Sequence, residues 1–378
     1  MKFISTKEAI LAEIIYTMDF TTQKNNLAIT SNVYLEAVGD QLIIKATDGK
    51  VGFATSITVD VVEEGKALVL QEKLLEILRL LPNGEIKFAT TKEHYFSIIP
   101  NGGTQDEKQQ KKHIDFKIRM IEADQFPKLE VIEEEHYFAL PQQSFLEMSE
   151  KVVFAVSDDN TRIFLCGVYI ERSEGGLTMV ATDGRRLSIV ERVFEETLPT
   201  FAPIIVLPRF FHMLRKIGTG EGMVELAITE STLFARIGGR TFYINLIREQ
   251  YPNFRRVIPE QQSYQCTMKI QDMEDALRRV AILIESKAKR LFLDISEGGV
   301  LLTSDVSESG EAKEVVPCQY EGPDCKISLN YTYLLAPLRA MEGEYFSINF
   351  TEATRSMTVK PESGRDYMHI IMPMQLNQ

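Results

Sequence analysis

The chain has 378 residues, of which 44% are hydrophobic and 25% are charged, and its formal net charge is −12 at pH 7. This length exceeds one ordinary hydrophobic core and predicts two or three domains. The acidic net charge argues against a protein that simply coats nucleic acid, although a basic lining inside an acidic exterior stays compatible with it. No apolar run reaches the roughly 20 residues of a membrane helix, and the amino terminus lacks a signal-peptide pattern, so we expect a cytosolic protein.

The first third of the chain predicts two helices and a group of short strands. Ser5 and Glu8 stand at the spacing of a capping box, with Ser5 as the expected cap, and apolar residues then recur at helical spacing up to Met18. Polar loops are expected at residues 21–26, which include Lys24, and at residues 101–112. Strands are predicted at residues 29–38, 41–47, 51–62, 68–70, 85–90, 94–99 and 116–121, and the second helix at residues 72–81.

The middle and last thirds repeat this plan. Ser144 and Asp272 are the expected caps of their first helices, and Pro208 suits the first turn of a second helix. Pro337 is expected to kink or delay the last helix, at a cost of up to about 3 kcal/mol. The predicted helices cover residues 144–156, 208–217, 272–286 and 331–341. Strands are predicted at residues 162–171, 177–181, 185–193, 204–207, 223–228, 232–237, 241–247, 290–295, 300–303, 326–329, 345–350, 355–360 and 367–372.

The repeat is clearest at a turn. Thr182-Asp183-Gly184 lies between apolar runs, and its Asp-Gly pair predicts a two-residue hairpin in which both residues accept a positive φ. Asp48 and Asp305 stand at matching places in the other thirds, so the aspartate is interpreted as a structural turn residue and not as a catalytic acid. The repeat predicts an α+β protein in which each unit places two helices on one face of about eight short strands.

Catalytic and metal-binding patterns find little support. The five histidines show no HxxxH or HxH pairing, the glycine pairs lack the spacing of a phosphate-binding loop, and the four cysteines form no CxxC motif. The cysteines are interpreted as buried, reduced thiols. The sequence therefore predicts no catalytic residue, no metal site and no cofactor.

Basic residues recur on equivalent helices of this acidic chain. The second helices each carry a Leu-Arg pair, and a lining that neutralises phosphates without reading bases would have this pattern. The alternative is an ordinary set of solvated charges on exposed helix faces. The basic candidates on the predicted helices are Lys73, Arg79, Arg209, Arg215, Lys216, Arg278 and Arg279.

Apolar residues at strand ends form a second candidate surface. Methionine-rich surfaces suit adaptable peptide binding, whereas the alternative is an ordinary hydrophobic core. The candidates are Leu165, Leu187, Val257, Ile370, Met372 and Met374. They lie near Arg185-Arg186-Leu187, the stretch that the middle copy of the turn has and the first copy lacks.

The threefold repeat and three motifs resemble the bacterial DNA polymerase III β sliding clamps over the whole chain. The motifs are residues 181–187, residues 251–259 and the terminal Met372-Pro373-Met374. The resemblance implies a DNA-clamp fold of three similar domains, at residues 1–128, 129–255 and 256–378, that forms half of a head-to-tail homodimeric ring. Its helices would face a central hole that holds duplex DNA, and its sheets would form the outside. The implied function is that of a non-catalytic processivity factor.

The resemblance also implies site residues and partners. A pocket for short peptide motifs of the replicative polymerase, the clamp loader and repair polymerases would comprise Leu165, Thr182, Gly184, Arg185, Arg186, Leu187, Pro252, Val257, Tyr333, Ile370, Met372 and Met374. Lys24 joins the basic candidates as an expected DNA contact. The expected subunit interface is Phe116 and Ile118 of one chain against Ile282 and Leu283 of the next, flanked by Glu308, Glu311 and Glu314.

Some positions depart from the family pattern. His113 and Asp115 stand where the family can have arginines facing the acidic rim, and Gln375 replaces a common basic residue. The alternative function is a β-rich enzyme or ligand-binding scaffold that holds a small molecule near residues 182–187. Oligomeric state and retention on circular DNA distinguish the two hypotheses.

Overall fold

The computed structural model describes residues 1–22, 28–101, 114–307, 310–364 and 366–375. The chain forms two compact units, one of Met1–Gln142 with Arg209–Leu246 and one of Gln143–Pro208 with Ile247–Gln378. The middle third of the sequence therefore contributes to both units. The domain boundaries expected after residues 128 and 255 remain a prediction.

Each third of the described chain contains two helices and eight or nine short strands, as the repeat predicts. The first third has β1 (Lys2–Thr6), α1 (Lys7–Thr17), β2 (Asn32–Val38), β3 (Gln41–Thr47), β4 (Val51–Thr58), β5 (Asp60–Glu63), β6 (Gly65–Leu70), α2 (Gln71–Leu80), β7 (Glu85–Thr90), β8 (Tyr95–Pro100) and β9 (Phe116–Ile121). The middle third has β10 (Phe138–Pro141), α3 (Gln142–Glu150), β11 (Val168–Ser173), β12 (Gly176–Thr182), β13 (Arg186–Val193), β14 (Ile204–Val206), α4 (Pro208–Ile217), β15 (Met223–Ile228), β16 (Thr232–Ile237) and β17 (Arg240–Asn245). The last third has β18 (Tyr264–Lys269), α5 (Ile270–Val280), β19 (Arg290–Ser296), β20 (Gly299–Ser304), β21 (Lys313–Val316), β22 (Gln319–Tyr320), β23 (Cys325–Asn330), α6 (Tyr331–Ala340), β24 (Tyr345–Phe350), β25 (Met357–Pro361) and β26 (Tyr367–Ile371).

The strands form extended antiparallel sheets. The first unit contains one sheet in the order β10-β15-β16-β17-β4-β3-β2-β6-β9-β8-β7-β1-β5. The second unit contains a sheet in the order β14-β11-β12-β13-β26-β25-β24-β18-β22 and a smaller sheet in the order β21-β20-β19-β23. The helices pack on these sheets: Ile10 and Ile14 of α1 and Leu74 and Leu78 of α2 are fully buried in the core of the first unit. The predicted α+β fold class is confirmed.

The first helix of each third begins directly after a strand, which corrects the predicted caps. Ser5 lies in β1 and is not the cap; Thr6 caps α1, and its hydroxyl accepts from the amide of Ala9 at 3.3 Å. Likewise α3 and α5 begin two residues before Ser144 and Asp272, which lie inside the first turn.

A backbone hydrogen bond that recurs in every third fixes the first residue of these helices. The first helical amide donates to the carbonyl that precedes a neighbouring strand. The pairs are Lys7 to Gly84, Gln142 to Gly222 and Ile270 to Glu344, each at 2.9 Å. Tertiary contacts thus satisfy the first of the helical amides that have no partner within the helix.

Two further predictions fail locally. Residues 162–165 are not part of a strand but of a 3₁₀ helix, Asn160–Leu165, in which the Asp159 side chain accepts from the amide of Thr161. The predicted helix at 144–156 ends at Glu150, and a short 3₁₀ helix, Val153–Ala155, follows. Side chains of β13 bind carbonyls of this segment: the Ser188 hydroxyl donates to the Lys151 carbonyl at 2.6 Å, which draws the chain onto the sheet.

Pro337 does not delay or interrupt α6, contrary to the prediction. The helix runs through it to Ala340, and Pro337 itself is buried. A proline in this place leaves the carbonyl four residues earlier, that of Tyr333, without its helical donor. Asn330 caps the helix, since its side chain accepts from the amide of Thr332 at 3.0 Å. None of the described helices is long and apolar enough to cross a membrane.

Candidate functional site

The turn after β12 is held by its own threonine and aspartate. Asp183 accepts from the amides of Arg185 and Arg186 at 2.8 and 3.1 Å through one carboxylate oxygen, and the Thr182 hydroxyl accepts from the amide of Gly184 at 3.0 Å. The φ angle is positive at Gly184 (89°) but not at Asp183. The prediction of a two-residue turn with two positive φ angles is therefore wrong, because the paired residues Thr182 and Leu187 enclose a longer loop.

The same loop occurs in the first third but not in the last. Asp48 accepts from the amides of Lys50 and Val51 at 2.8 and 3.0 Å, and Gly49 again has a φ of 89°. Asp305 does not share this loop: its carboxylate lies 4.0 Å from Arg290, and the next strand, β21, begins only at Lys313. The turn is thus a structural feature of two copies and not of three.

Arg186 is held between two aromatic rings beside this turn. Its guanidinium carbon lies 4.7 Å from the ring centroid of Tyr333 and 5.7 Å from that of Phe154. It also donates to the Asp183 carboxylate at 3.1 Å and to the Phe154 carbonyl. Arg185, in contrast, is exposed to solvent. Of the two adjacent arginines, only Arg186 has a side chain that stacking and hydrogen bonds hold in one position.

The segment after residue 250 lies across from this turn. Tyr251 stacks on Tyr169 with a centroid distance of 4.7 Å, and burial raises the pKa of Tyr251 well above its ordinary value. A short 3₁₀ helix, Phe254–Val257, follows; Phe254 is 6% exposed and Val257 is 53% exposed. This segment therefore anchors itself by aromatic packing and leaves Pro252 and Val257 open to solvent.

These elements enclose a pocket of about 290 Å³ on the sheet of the second unit. Its lining residues are Leu165, Thr182, Gly184, Arg185, Arg186, Leu187, Pro252, Asn253, Phe254, Val257, Ile370 and Met372. Leu187 of β13 and Ile370 of β26 are paired neighbours in the sheet and are nearly buried, so they form the floor. Met372, at the end of the sheet, is 46% exposed.

The structure brings together ten of the twelve predicted pocket residues. Tyr333 does not line the cavity but stacks on Arg186, and the amide of Met374 donates to the Ser328 carbonyl at 2.7 Å instead of joining the lining. Sequence reasoning missed Asn253 and Phe254. Their position directly after Pro252, in the same motif, was the available signal.

His369 lies next to the pocket floor in β26 and is completely buried. Neither ring nitrogen has a hydrogen-bond partner among the described residues. Burial lowers the pKa of His369 from its ordinary value of 6.5 to about 3, and the Arg186 cation acts in the same direction. The Tyr333 carbonyl, which Pro337 leaves without a helical donor, opposes the shift but lies outside hydrogen-bond geometry. The histidine is therefore neutral in the folded protein.

The chemistry of this pocket is that of binding. Apolar side chains with a few fixed polar groups suit a short, mostly apolar peptide segment. Fully burying an exposed side chain such as Val257 or Met372 contributes about 1.5–3 kcal/mol. Among the described residues, no group of three or more histidine, cysteine or acidic side chains is arranged to hold a metal ion.

The basic candidates of the described chain lie on α2, α4 and α5, and at least five of them bind carboxylates of their own chain. The pairs are Lys73–Glu76 at 2.8 Å and, at 2.5 Å each, Arg209–Asp48, Lys216–Asp19, Arg278–Glu274 and Arg279–Glu314. Arg79 and Arg215 are exposed, and Lys24 lies outside the described residues. Much of the predicted basic lining is thus neutralised within the chain, by ion pairs that are mostly partly exposed and individually weak.

The predicted interface residues belong to separate units. Phe116 on β9 is 40% exposed, whereas Ile118 is 9% exposed and packs in the core. Ile282, in a 3₁₀ helix after α5, is 79% exposed, and Leu283 is partly buried. Of the acidic residues, Glu311 pairs with Lys313 at 2.9 Å and Glu314 pairs with Arg279; Glu308, like His113 and residues 102–112, lies outside the described residues. Among the four predicted apolar interface residues, Phe116 and Ile282 are therefore the exposed ones.

Comparisons with known proteins agree over the full length. Residues 1–130, 139–253 and 255–375 match the N-terminal, central and C-terminal domains of the DNA polymerase III beta subunit. The chain is 36% identical to the beta sliding clamp of Treponema pallidum, over 99% of this chain and 100% of that protein. The crystal structure of the DNA polymerase III subunit beta from Pseudomonas aeruginosa has a TM-score of 0.90 at 25% identity, and the sliding clamp from Bacillus subtilis has 0.92 at 20%; both matches cover 100% of both chains.

Proposed function

Since this chain belongs to the DNA polymerase III beta subunit family, we propose that it is a DNA polymerase processivity factor, a homodimeric ring that encircles duplex DNA and tethers the replicative polymerase. The observation that carries the proposal is the match of all three family domains in order along one chain. Members of this family are non-catalytic, and the chain is not an enzyme. The alternative of an enzyme or small-molecule scaffold is therefore abandoned.

The pocket on the second unit supports the tethering role. We assign it to short peptide motifs because its walls are apolar, its floor is formed by paired strands, and Arg186 is fixed at its side. A linear motif can bury one or two apolar side chains here at modest affinity, which permits partners to exchange. The replicative polymerase, the clamp loader and repair polymerases are the proposed partners, and we propose that they meet the protein in the cytoplasm.

Non-specific electrostatic contacts support the role on DNA. A sliding protein needs no base readout, only weak attraction to phosphates. Arg79, Arg215 and the other cations of α4 and α5 supply such contacts, since a surface ion pair costs little to exchange for a phosphate. The intrachain carboxylates limit this attraction, and a ring holds DNA by topology instead of by affinity.

A peptide-binding experiment tests the tethering role. The probe is a fluorescein-labelled clamp-binding peptide from the replicative polymerase of the same bacterium. Met372→Ala removes a half-exposed apolar group from the pocket lining and is expected to weaken binding about tenfold, as does loss of an important apolar contact in other interfaces. Met223→Ala is the matched control, since Met223 is equally exposed (43%) but lies on β15 in the other unit. Equal affinity for the two variants would contradict the assignment.

Oligomeric state tests the ring. Sedimentation of the intact protein is expected to give a dimer of 43.0-kDa chains. A monomer at micromolar concentration would contradict the proposal, whatever the result of the peptide experiment.

A further inference from the structure

A second cleft lies on the sheet of the first unit, and it is larger than the pocket described above. Its volume is about 470 Å³, within the range of about 300–1,000 Å³ that is usual for ligand sites. The walls are β4, β16 and β17 on one side and the segment of residues 128–137 on the other. All of its lining residues belong to the first unit.

This cleft is the repeat-related counterpart of the peptide pocket. Gly52 follows the Thr47-Asp48-Gly49 turn at the same spacing at which Leu187 follows the turn of the middle third. Gly52 pairs with Tyr243 of β17 as Leu187 pairs with Ile370 of β26. The repeat thus builds the same frame twice: a turn, two paired strands and a crossing segment.

The floor of the second cleft differs from that of the first. The Tyr243 ring lies directly over Gly52, where an added Cβ would be only 2.2 Å from the ring carbon Cε1. An aromatic ring thus takes the space that a side chain at position 52 would need. Leu129 and Ile132 of the crossing segment pack against Phe234 and Tyr243, and Val131 is 90% exposed at the rim. The cleft therefore combines an aromatic floor with an open aliphatic edge.

The lining of the cleft carries three cations, Lys45, Lys128 and Arg236, against two carboxylates, Glu130 and Glu134. Glu134 forms two hydrogen bonds with Arg236, at 2.6 and 2.9 Å, and Glu130 accepts from the Thr232 hydroxyl at 2.6 Å. Glu134 is therefore paired with a cation, whereas Glu130 is held by a neutral hydroxyl and keeps its charge. Lys45 and Lys128 have no carboxylate within 4.0 Å among the described residues; the Lys45 ammonium lies only over the Tyr34 ring, 5.3 Å from its centroid.

We propose that this cleft is a second docking site, for a short peptide segment of a partner protein in which acidic residues alternate with aliphatic ones. The aliphatic side chains would pack on Tyr243 and Val131, and the carboxylates would pair with Lys45 and Lys128. Two lysines beside an apolar floor suit such a segment better than a nucleic-acid backbone, which needs a longer row of cations. Opposite charge on the partner supplies the selectivity.

The absence of tryptophan from the sequence permits a site-specific test. Val131→Trp places the only indole of the protein at the rim of the cleft, and Val62→Trp, on β5 and 55% exposed, is the control reporter. The probes are acetyl-Leu-Glu-Leu-Asp-Leu-amide and its lysine counterpart acetyl-Leu-Lys-Leu-Lys-Leu-amide. We expect a saturable fluorescence change only with the acidic peptide and only in the Val131→Trp protein.

Charge-reversal variants on the reporter background localise the binding. Lys128→Glu is expected to weaken binding of the acidic peptide by about tenfold, since it replaces an attraction by a repulsion at the rim. Lys92→Glu, at an exposed lysine outside the cleft, and Met372→Ala, in the other pocket, are expected to leave the affinity unchanged. The last control keeps this proposal separate from the proposed function, on which it does not depend.

Several results would overturn the proposal: no saturable change, an equal response to both peptides, or loss of the response in Met372→Ala. The same holds for a change caused by a duplex oligonucleotide, which would assign the cleft to nucleic acid. A change with protein concentration in the absence of peptide would assign it to a second copy of the chain. Circular dichroism melting confirms that each variant is folded before its affinity is interpreted.

Discussion

At the scale of single residues, Arg185 and Arg186 show what a sequence can and cannot reveal. Both were predicted as pocket residues by the family resemblance, and they stand in a stretch that only the middle copy of the turn has. The sequence does not reveal that Arg186 lies between Phe154 and Tyr333, because these residues come from distant segments. The same limit applies to Tyr333, which supports the pocket through Arg186 instead of lining it.

Replacing Arg186 by lysine tests this difference. Arg186→Lys keeps the charge but loses the planar group that stacks on two rings and binds Asp183, so we expect unfolding to become easier by about 1–3 kcal/mol. Arg185→Lys, at an exposed position, is expected to change the free energy of unfolding by less than about 0.5 kcal/mol. Urea denaturation measures both. Similar small effects would show that the stacked position of Arg186 contributes nothing.

Buried His369 predicts a pH dependence of stability. Its pKa is about 3 in the folded protein and near 6.5 when unfolded, so as the pH falls the unfolded chain takes up the proton first. This contribution is fully present above pH 6.5 and is lost as the pH falls towards 3, by about 2 kcal/mol between pH 7 and pH 5. His369→Gln is expected to flatten this part of the curve, whereas His212→Gln, at an exposed histidine, is not. Parallel curves for all three proteins would refute the assignment.

At the scale of elements, the spacing of apolar residues and the composition predicted the positions of the helices well but their first residues poorly. The predicted helix at residues 208–217 is found unchanged, because proline and a regular apolar face mark it. The starts of α1, α3 and α5 were misplaced because a carbonyl from a distant loop satisfies the first amide. A cap-based prediction sees only local side chains and cannot detect such a bond. Pro337 shows the same limit: α6 continues through this buried proline, although local sequence rules predict that a proline interrupts a helix.

The ion pair between α4 and Asp19 predicts a gain of DNA binding. Lys216 lies 2.5 Å from the Asp19 carboxylate, so Asp19→Asn releases a cation on a predicted DNA-facing helix. We expect tighter binding to short duplex DNA at low salt, with a slope of log affinity against log salt steeper by up to about 1. Asp60→Asn removes the same charge from an exposed position on β5 and is the matched control. Fluorescence anisotropy between about 50 and 200 mM salt measures both; equal slopes would remove Lys216 from the DNA-contacting set.

At the scale of the whole molecule, the threefold repeat carried most of the prediction. It indicated the fold class, and the family resemblance located ten of the twelve residues that line the pocket, seven of them within residues 181–187 and 251–259. The repeat misled at Asp305, because the last copy of the turn has a longer connection. The neutralisation of cations by carboxylates was also beyond the sequence, since Glu314 and Arg279 meet only in the folded chain.

The interface is tested by one exposed side chain. Ile282→Asp is expected to yield a folded monomer, because a dimer would have to bury an unpaired carboxylate, and the 79% exposure of Ile282 means that the single chain tolerates the change. Val193→Asp alters a similarly exposed residue (73%) on β13 and is expected to stay dimeric. Sedimentation velocity measures both, and a persistent Ile282→Asp dimer would place the interface elsewhere.

The central claim is that the protein encircles DNA, and retention on circular against linear duplex tests it most directly. The proposed clamp loader is used to load the protein onto a nicked plasmid, and one half of the sample is linearised with a restriction enzyme before gel filtration. We predict that the protein co-elutes with the circle and is lost from the linear DNA, because a ring slides off free ends. Equal retention on the two forms would contradict the claim.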